Sequence, residues 1–321
     1  MAITQGTTIS SSVERVVDGD TVVVPVEGRA ERLRLLCLDT EESHAGSDKP
    51  VTPWGREAAK EAARLLPAGT PVTLEFPGTE TVKECLIRHR ENFGRLLVFL
   101  HFEEGDFQEH MIQAGYSPYF SKYGHAPFHD HRDRYIGAER NAQSDPRGVW
   151  DQLTVNGAES RNYALLGLWW ELRAEVIDDY RKRRQADPTL LDSRLDYAQL
   201  QALAVEGVET TVFTELATYR RIGQSHAIVD IGSRHQPFKL FVPDIETNGG
   251  QALLTLLSQR YVAGDAEHVR RSYAYVRGRL KIHRDEPEMV VENPDQVMDT
   301  PAPSRVIRLP DQEVVTPPAR Q

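Results

Sequence analysis

The chain has 321 residues, and its 48 acidic side chains outnumber its 38 basic ones, which gives a formal net charge of −10 at neutral pH. This balance argues against a protein that coats duplex DNA through bulk positive charge, but it leaves room for a local basic groove. At about 150 residues per domain, the length predicts two domains. The apolar run Tyr163–Trp170 is far shorter than the roughly 20 residues needed to cross a bilayer, so no membrane partner is expected.

The first residues give no sign of secretion. Residues 1–12 are polar and lack the apolar core of a signal peptide, so they are predicted to form a flexible N-terminus of a cytoplasmic protein. The two cysteines, Cys37 and Cys85, are too few for a disulfide framework. Both are predicted to be buried free thiols.

The segment from residue 13 to residue 152 is predicted to be the first domain, a small β-barrel with added helices. Apolar and β-branched runs predict its strands at Val22–Val24, Leu33–Leu38, Val72–Phe76, Val82–Ile87 and Leu96–Leu100. Helix-forming composition predicts helices over Trp54–Leu66, Gln108–Ala114 and about His131–Gln143. Five strands with helices in this length suit a closed barrel.

The rest of the chain divides into three parts. Residues 153–205 are predicted to be a helical connector, with helices at Trp169–Arg184 and Asp196–Ala204. Residues 206–297 show three strands, one helix and two strands, the order of a five-stranded OB-fold barrel. Residues 298–321 are rich in proline and are predicted to be a disordered tail.

Acidic residues and two arginines cluster around the strand ends of the first domain. The turn Asp18–Asp20 joins two strands, and the strand that contains Arg34 ends in Asp39–Glu42. A single Asp-Gly turn indicates only a hairpin. The whole set is what phosphodiester hydrolysis needs: carboxylates for a divalent cation, arginines for the phosphate and an acid to activate water. Its members are Asp20, Arg34, Asp39, Glu42 and Arg95.

Several motifs in this domain occur in a known order. They are VVDGDTVVV, RLRLLCLDTEES, PWGREAAKEAARLL, NFGRLLVFL and GVW, between Val13 and Trp150. This stretch resembles the staphylococcal nuclease (thermonuclease) family. The resemblance implies an OB-type barrel that cleaves DNA and RNA with little sequence preference. Two positions differ from the family pattern, since Glu41 stands where a proline is usual and Phe93 where a tyrosine is usual.

The resemblance also implies a role for each residue of the set. Ca²⁺, with Mn²⁺ as an alternative, would be bound by the side chains of Asp20 and Asp39 and the backbone carbonyl of Thr40. Glu42 would act as the general base or position the water. Arg34 and Arg95 would bind the scissile phosphate.

Histidines and aromatic residues between these motifs raise two further questions. His125, His129 and His131, with Asp130 and Asp133, are donors that Zn²⁺ or Mn²⁺ accepts, but a polar loop leading into a helix is the favoured interpretation. Phe93, Tyr119 and Tyr123 are candidates for stacking on bases, or for packing beneath the loop.

The second barrel contains a strand whose alternation predicts a binding face. Ser272–Ile282 places apolar residues at even positions, whereas its odd positions are Tyr273, Tyr275, Arg277, Arg279 and Lys281. Side chains of one parity project from one surface of a strand, and aromatic and basic groups are how OB folds hold single strands. An ordinary solvated face is the alternative. Tyr219 and Arg221 are expected to join this nucleic-acid surface.

These features together predict a Ca²⁺-dependent nuclease of the β-barrel plus α class, whose second barrel captures single-stranded DNA. RNA and duplex DNA are alternative substrates, and DNA repair or nucleic-acid degradation is the expected role. The competing interpretation is a catalytically silent adaptor that binds nucleic acid or protein.

Overall fold

The fold is described from a computed structural model, which covers residues 4–45, 51–91, 93–120, 128–151, 163–262 and 269–301. Tyr123, His125 and residues 302–321 of the expected tail lie outside these ranges. None of the described helices is both long and apolar enough to cross a bilayer.

The first sheet is formed by seven strands. They are β1 (Thr8–Ser12), β2 (Arg15–Asp18), β3 (Thr21–Val26), β4 (Arg29–Leu35), β5 (Pro71–Glu75), β6 (Leu96–Phe102) and β7 (Gly105–Asp106). Their hydrogen-bonded order is β1-β5-β6-β4-β3-β2, with β7 paired to β6. β4 and β6 run parallel, and the other neighbours are antiparallel. Fully buried apolar side chains such as Val22, Leu33 and Phe99 fill the core behind this sheet.

β1 and β2 are the two halves of one bent strand, and they lie at opposite ends of the strand order. β1 pairs with β5, whereas β2 pairs with β3. Between them, the N–H of Val13 donates to the Thr70 carbonyl and the N–H of Glu14 donates to the Val23 carbonyl, each at 2.9 Å. The prediction of a flexible N-terminus is therefore wrong for residues 8–12. Their polar sequence, TISSS, hid a strand held by backbone pairing.

Four helices accompany the first sheet. They are α1 (Pro53–Leu65), α2 (Val82–Arg88), α3 (Phe107–Gln113) and α4 (His129–Ser144). The prediction of a strand over Val82–Ile87 is wrong, because α2 occupies this segment. A reciprocal cap overrides its β-branched residues: the Thr81 hydroxyl accepts the Glu84 N–H, and the Glu84 carboxylate accepts the Thr81 N–H.

The second sheet repeats the strand order of the first. Its strands are β8 (Leu191–Asp192), β9 (Glu209–Glu215), β10 (Tyr219–Ile222), β11 (His226–Asp230), β12 (Lys239–Val242), β13 (Tyr273–His283), β14 (Glu286–Val290) and β15 (Val297–Met298). The order β9-β13-β14-β12-β11-β10 matches β1-β5-β6-β4-β3-β2 position by position, including the parallel pair β12 and β14. The expected succession of three strands, one helix and two strands is present, since β9 and β10 correspond to the two halves of one bent strand.

Three helices belong to the second half of the chain. They are α5 (Tyr163–Ala186), α6 (Tyr197–Glu206) and α7 (Asn248–Leu256), the last followed by a π-helical turn at Leu257–Tyr261. In the sequence, α7 lies between β12 and β13, as α1 lies between β4 and β5 in the first half. α5 and α6 fall where a helical connector was predicted.

Helix α5 corrects the prediction for two tyrosines of β13. Tyr273 and Tyr275 are only 3% and 1% exposed. They pack with Val176, Ile177 and Tyr180 of α5, and the Tyr180 ring stacks on Phe213 at 4.1 Å between centroids. The alternation of β13 holds as far as Lys281, whereas Ile282, predicted on the apolar face, is 38% exposed. Helix α5 covers one end of the outer face. Neither tyrosine offers a ring to a base.

The first residues of the expected tail make contacts with the second sheet. Met298 belongs to β15 and pairs with Tyr275. Asp299 accepts hydrogen bonds from the Arg260 guanidinium and from the Tyr261 hydroxyl, the latter at 2.7 Å. The prediction of a disordered tail is therefore wrong for its first two residues, Met298 and Asp299.

Candidate active site

The predicted site is organised around one guanidinium. Arg34, near the end of β4, forms an ion pair with Asp20 through Nη1, and its Nη2 lies 3.1 Å from Oδ1 of Asp39. All three residues are largely buried. The structure therefore brings the two predicted cation ligands against one predicted phosphate-binding arginine.

Backbone packing explains why the two acids meet. The Asp20 carbonyl accepts the N–H of Leu35 at 2.9 Å, which fixes the turn beside β4. A Cβ on Gly19 would lie 2.7 Å from Cγ2 of Thr40, so only glycine lets the turn approach this closely. On the other side, the Asp39 N–H donates to the buried Ser117 hydroxyl at 2.8 Å.

A second arginine joins the site through a threonine. Nη1 of Arg95 donates to the Thr21 hydroxyl at 3.2 Å, and this hydroxyl donates to Oδ1 of Asp20 at 2.9 Å. The buried carboxylate of Glu91 holds the turn that carries Arg95, since it accepts the N–H groups of Phe93 and Arg95 and the Arg95 Nε. Arg95, Thr21, Asp20, Arg34 and Asp39 thus form one continuous polar chain.

Sequence reasoning did not single out Thr21, Glu91 or Ser117. Thr21 and Ser117 hold residues that are distant in sequence, Arg95 and Asp39, and Glu91 acts mainly by accepting the N–H groups of its own turn, so no local motif marks them. The acidic neighbour of Thr21 was the available signal, because a hydroxyl beside a metal-type carboxylate is well placed to orient it.

Glu42 is held by the N-terminus of α1. Its carbonyl accepts the N–H of Thr52 at 3.3 Å, and a Cβ on Gly55 would lie only 2.1 Å from this carbonyl oxygen. The side chain is half-buried. The backbone of Glu42 is thus fixed three residues after Asp39, and its role as a base stays a prediction.

The donor set is suitable for a hard divalent cation. Two carboxylates contact the guanidinium of Arg34, and oxygen ligands of this kind are what Ca²⁺ prefers. Asp18 adds a third acid nearby: burial raises its pKa, and the charge of Asp20 adds to this, against hydrogen bonds from the N–H groups of Gly19 and Ser43. A bound cation would relieve this accumulation of negative charge.

The stacking candidates have different outcomes. Phe93 is 81% exposed at the tip of the turn beside Arg95, where a base could reach its ring. Tyr119 is 7% exposed and packs near Tyr135, with ring centroids 6.2 Å apart, so its prediction as a stacking residue is wrong. Tyr123 lies outside the described residues.

The histidine cluster also needs correction. His131 is fully buried on α4, where its Nε2 lies 3.1 Å from both carboxylate oxygens of Glu75. The predicted helix is confirmed, but α4 begins at His129, two residues earlier than expected, and it buries His131 while His129 and Asp130 are exposed.

Glu75 is the centre of a buried ionic network beneath the sheet. His101 Nε2 lies 2.6 Å from its carboxylate, and the N–H groups of Gln5 and Gly6 donate to it at 2.6 and 2.8 Å. Burial alone would raise the pKa of Glu75, but these hydrogen bonds and those of His131 outweigh it and lower the pKa to about 2. These hydrogen bonds hold Gln5 and Gly6 against β5 of the first sheet.

Three predicted cations of β13 remain at the surface. Arg277, Arg279 and Lys281 are exposed and line a cavity of about 1050 Å³ between α6, β13 and the segment 292–296. Nε of Arg277 lies 2.6 Å from Glu209, and Nζ of Lys281 lies 2.9 Å from Glu288.

Tyr219 and Arg221 on β10 do not line this cavity. Tyr219 is half-buried and packs against the core of its own sheet, and Arg221 is exposed. The expectation that they share one groove with the cations of β13 is therefore not met.

The two sheets meet at the turn that carries Arg95. A Cβ on Gly94 would lie 3.5 Å from Cε1 of His235 and 3.7 Å from Cδ of Arg234, both on an exposed loop of the second sheet. Nη1 of Arg194 also approaches the Arg90 carbonyl at 3.4 Å. The loop after β11 thus borders the candidate site.

Arg173, a buried arginine on α5, forms a second contact between the first half of the chain and the second sheet. Nη2 of Arg173 lies 2.8 Å from the Glu215 carboxylate, and its guanidinium lies 5.3 and 5.4 Å from the ring centroids of Phe120 and Tyr273. The Phe120 N–H donates to the Cys37 carbonyl at 3.0 Å, close in sequence to Asp39. Arg173 therefore contacts the surroundings of the candidate site and the second sheet together.

Comparison with known proteins identifies the first part of the chain. Residues 32–152 match the family described as staphylococcal nuclease homologue. A thermonuclease of Staphylococcus hyicus is 28% identical over 136 residues, which cover 42% of this chain and 72% of that protein. Endonuclease YncB of Bacillus subtilis is 26% identical over 144 residues, covering 45% of this chain and 63% of that protein.

The family match includes most of the polar chain. Arg34, Asp39 and Arg95 lie inside it, whereas Asp20 precedes it and the second sheet follows it. The predicted resemblance and the nuclease-type hydrolase domain are thereby confirmed, and residues 32–152 form a domain of the staphylococcal nuclease family.

Proposed function

We propose that the protein is a metal-dependent nuclease that hydrolyses DNA, preferentially single-stranded, at the site around Arg34, while the second sheet holds the strand. The observation that carries this proposal is the continuous chain from Asp39 through Arg34, Asp20 and Thr21 to Arg95. It sets the two arginines and the cation-type acids side by side.

Each residue then has a task in phosphodiester hydrolysis. Asp20, Asp39 and the Thr40 carbonyl would hold Ca²⁺, or alternatively Mn²⁺, which when bound neutralises a non-bridging phosphate oxygen. Arg34 and Arg95 bind the phosphate and stabilise its developing charge. Glu42 accepts a proton from the attacking water.

The pairing of Arg34 with two acids is compatible with this task. A guanidinium carries five N–H donors, so Arg34 can hold both carboxylates and still donate to a phosphate oxygen. The acids also fix its orientation before substrate arrives, and such preorganisation is a main source of electrostatic catalysis.

The surface of the second sheet supports strand capture. The cavity beside β13 presents Arg277, Arg279 and Lys281 to solvent. Exposed ion pairs such as Arg277–Glu209 contribute only about 0–1 kcal/mol, so a phosphate can compete for these cations. Arg234 adds a cation next to the turn of Arg95.

Digestion of matched single-stranded and duplex DNA and RNA, with Ca²⁺, Mn²⁺, Mg²⁺ or a chelator, tests the proposal. We expect Arg34→Ala to lower the rate of single-stranded DNA cleavage roughly 10²–10³-fold, and Glu42→Ala to lower it strongly as well. Arg32→Ala, an exposed change on the same strand, is the matched control and should leave the rate unchanged.

Three outcomes would overturn parts of this proposal. Full cleavage by both site variants would refute the assignment of the site. Absence of turnover with every metal would favour a nucleic-acid-binding adaptor. Faster cleavage of RNA than of DNA would identify RNA as the main substrate. The expected cytoplasmic location and role in DNA repair or nucleic-acid degradation remain predictions.

A further inference from the structure

We propose that Glu80 and His89, which flank helix α2, form a Zn²⁺ site with Cys85 on the helix. This Glu80–Cys85–His89 cluster lies outside the polar chain of the candidate active site. It combines a thiol, an imidazole and a carboxylate, which together are a typical zinc donor set.

The distances between the donor atoms suit a tetrahedral ion. Oε2 of Glu80 lies 3.3 Å from Nε2 of His89 and 3.7 Å from Sγ of Cys85, and all three atoms lie within 4.8 Å of one another. Zinc bond lengths to N, O and S place such ligand atoms about 3.3 Å apart for N and O and about 3.5 Å apart for S and O. The cluster is therefore nearly prearranged for the ion.

The surroundings leave the inner carboxylate oxygen of Glu80 to the cluster. Arg88 pairs with the other oxygen, Oε1, and the Thr7 hydroxyl bonds to the Glu80 backbone carbonyl. A Cβ on Gly78 would lie 2.0 Å from Oε2 of Glu80 and 2.6 Å from Nε2 of His89, so only glycine fits against these two donors. The Glu80 side chain is 24% exposed, which gives water access to a fourth position.

A second group of donors in the molecule is less suitable. In the cluster of Glu75, His101 and His131, Nη2 of Arg134 lies 2.7 Å from Nδ1 of His131. The Glu75 carboxylate also accepts the N–H groups of Gln5 and Gly6. Its oxygens are thus already engaged by backbone donors as well as by the histidines, so this group is a hydrogen-bonded network.

The location of the zinc cluster gives it a structural effect. Helix α2 has seven residues, too few to be stable alone, and Cys85 and His89 lie on its last turn. The His89 carbonyl accepts the N–H of Leu97 on β6, and Glu91, which holds the turn of Arg95, follows two residues later. Bound zinc would fix α2 against the sheet just before this turn. On binding, the Cys85 thiol gives up its proton to solvent and coordinates as the thiolate.

Metal titration of the purified full-length protein, stripped of metal and held in excess Ca²⁺, tests the site. We expect Co²⁺, used as a probe for Zn²⁺, to give near-ultraviolet thiolate-to-metal charge transfer at one equivalent, and Zn²⁺ to displace it. Cys85→Ser should abolish this band. Cys37→Ser, a change at the other buried cysteine, is the matched control and should keep it.

Glu80→Gln tests the site should Cys85→Ser fail to fold, because this residue is partly exposed. It should weaken Zn²⁺ binding more than roughly tenfold. The proposal fails if the wild type shows no thiolate band, if Cys85→Ser keeps it, if Cys37→Ser loses it, or if Glu80→Gln binds Zn²⁺ with unchanged affinity. The readout does not depend on nuclease activity, so its result leaves the proposed function untouched.

Discussion

The two sheets share their strand order but differ in the residues at the positions that form the candidate active site. Each has the same strand order, a parallel pair in the same place, and a helix after the third strand. In each, a threonine caps that helix: Thr52 accepts the Gly55 N–H and Thr247 accepts the Gly250 N–H, both at 3.1 Å. The helix is therefore seated by the same device in both.

The glycines of this device touch different segments. A Cβ on Gly55 would lie 2.1 Å from the Glu42 carbonyl, and one on Gly250 would lie 1.9 Å from the Asp244 carbonyl. Glu42 follows the buried Asp39 and Arg34, whereas Asp244 is an exposed residue after the apolar strand β12. The residues that pack the helix against the sheet are therefore shared by both halves, whereas the charged residues of the candidate active site occur only in the first.

The largest effect should come from the two glycines, and it should separate the sheets. Gly55→Ala and Gly250→Ala both force a side chain onto a backbone carbonyl, so each should lower the free energy of unfolding by about 3 kcal/mol. Only Gly55→Ala displaces Glu42, so only this variant should also lose cleavage, by more than roughly tenfold. Denaturant unfolding and initial rates below the unfolding transition measure the two effects. Equal losses of cleavage in both variants would contradict the comparison.

The next effect concerns the ionic network under the first sheet. Because the pKa of Glu75 is lowered to about 2 from its ordinary value of 4.5, the ionised carboxylate stabilises the fold above pH 4.5. This stabilisation should be lost as the pH falls from 4.5 towards 2.

Glu75→Gln should therefore lower the free energy of unfolding at neutral pH, on the order of 2 kcal/mol, and the difference from the wild type should shrink in acid. Urea unfolding at several pH values measures this. Glu57→Gln, at an exposed position on α1, is the control. A difference that stays constant between pH 7 and pH 3 would refute the role of the carboxylate charge.

The smallest effect should fall on the second sheet. The double change Arg277→Ala and Arg279→Ala should weaken binding of a long single strand roughly tenfold and reduce the salt dependence by roughly 0.7 per lost phosphate contact. Arg221→Ala, an equally exposed change outside the cavity, is the control. Fluorescence anisotropy over a range of salt concentrations measures both. An unchanged salt dependence would leave the second sheet with another partner.

Sequence alone identified the cation-type acids and the two arginines of the site, because they stand in short motifs. Arg34 and Asp39 are five residues apart on one strand and its end, so their proximity follows from local structure. Thr21 and Ser117 could not be found this way, since their importance lies in hydrogen bonds to distant segments, and Glu91 was missed because it acts by accepting backbone N–H groups of its own turn.

Alternation in β13 gave the facing of its side chains but not what covers them. The parity of Tyr273 and Tyr275 matches that of Arg277, yet α5 packs over the tyrosines only. Helix packing depends on contacts between remote parts of the chain, which a strand pattern does not contain. Likewise, the apolar residues of α2 indicated a strand, and the cap at Thr81 and Glu84 decided for a helix.

Arg173 has a consequence for the length of substrate that the protein can use. Its buried guanidinium is paired with Glu215 and lies between the rings of Phe120 and Tyr273, one from each half of the chain, so this residue packs the two halves together. Under the proposed function, a strand too short to reach from the turn of Arg95 to the cations of β13 would gain nothing from the second sheet, whereas a longer strand would be bound at both places.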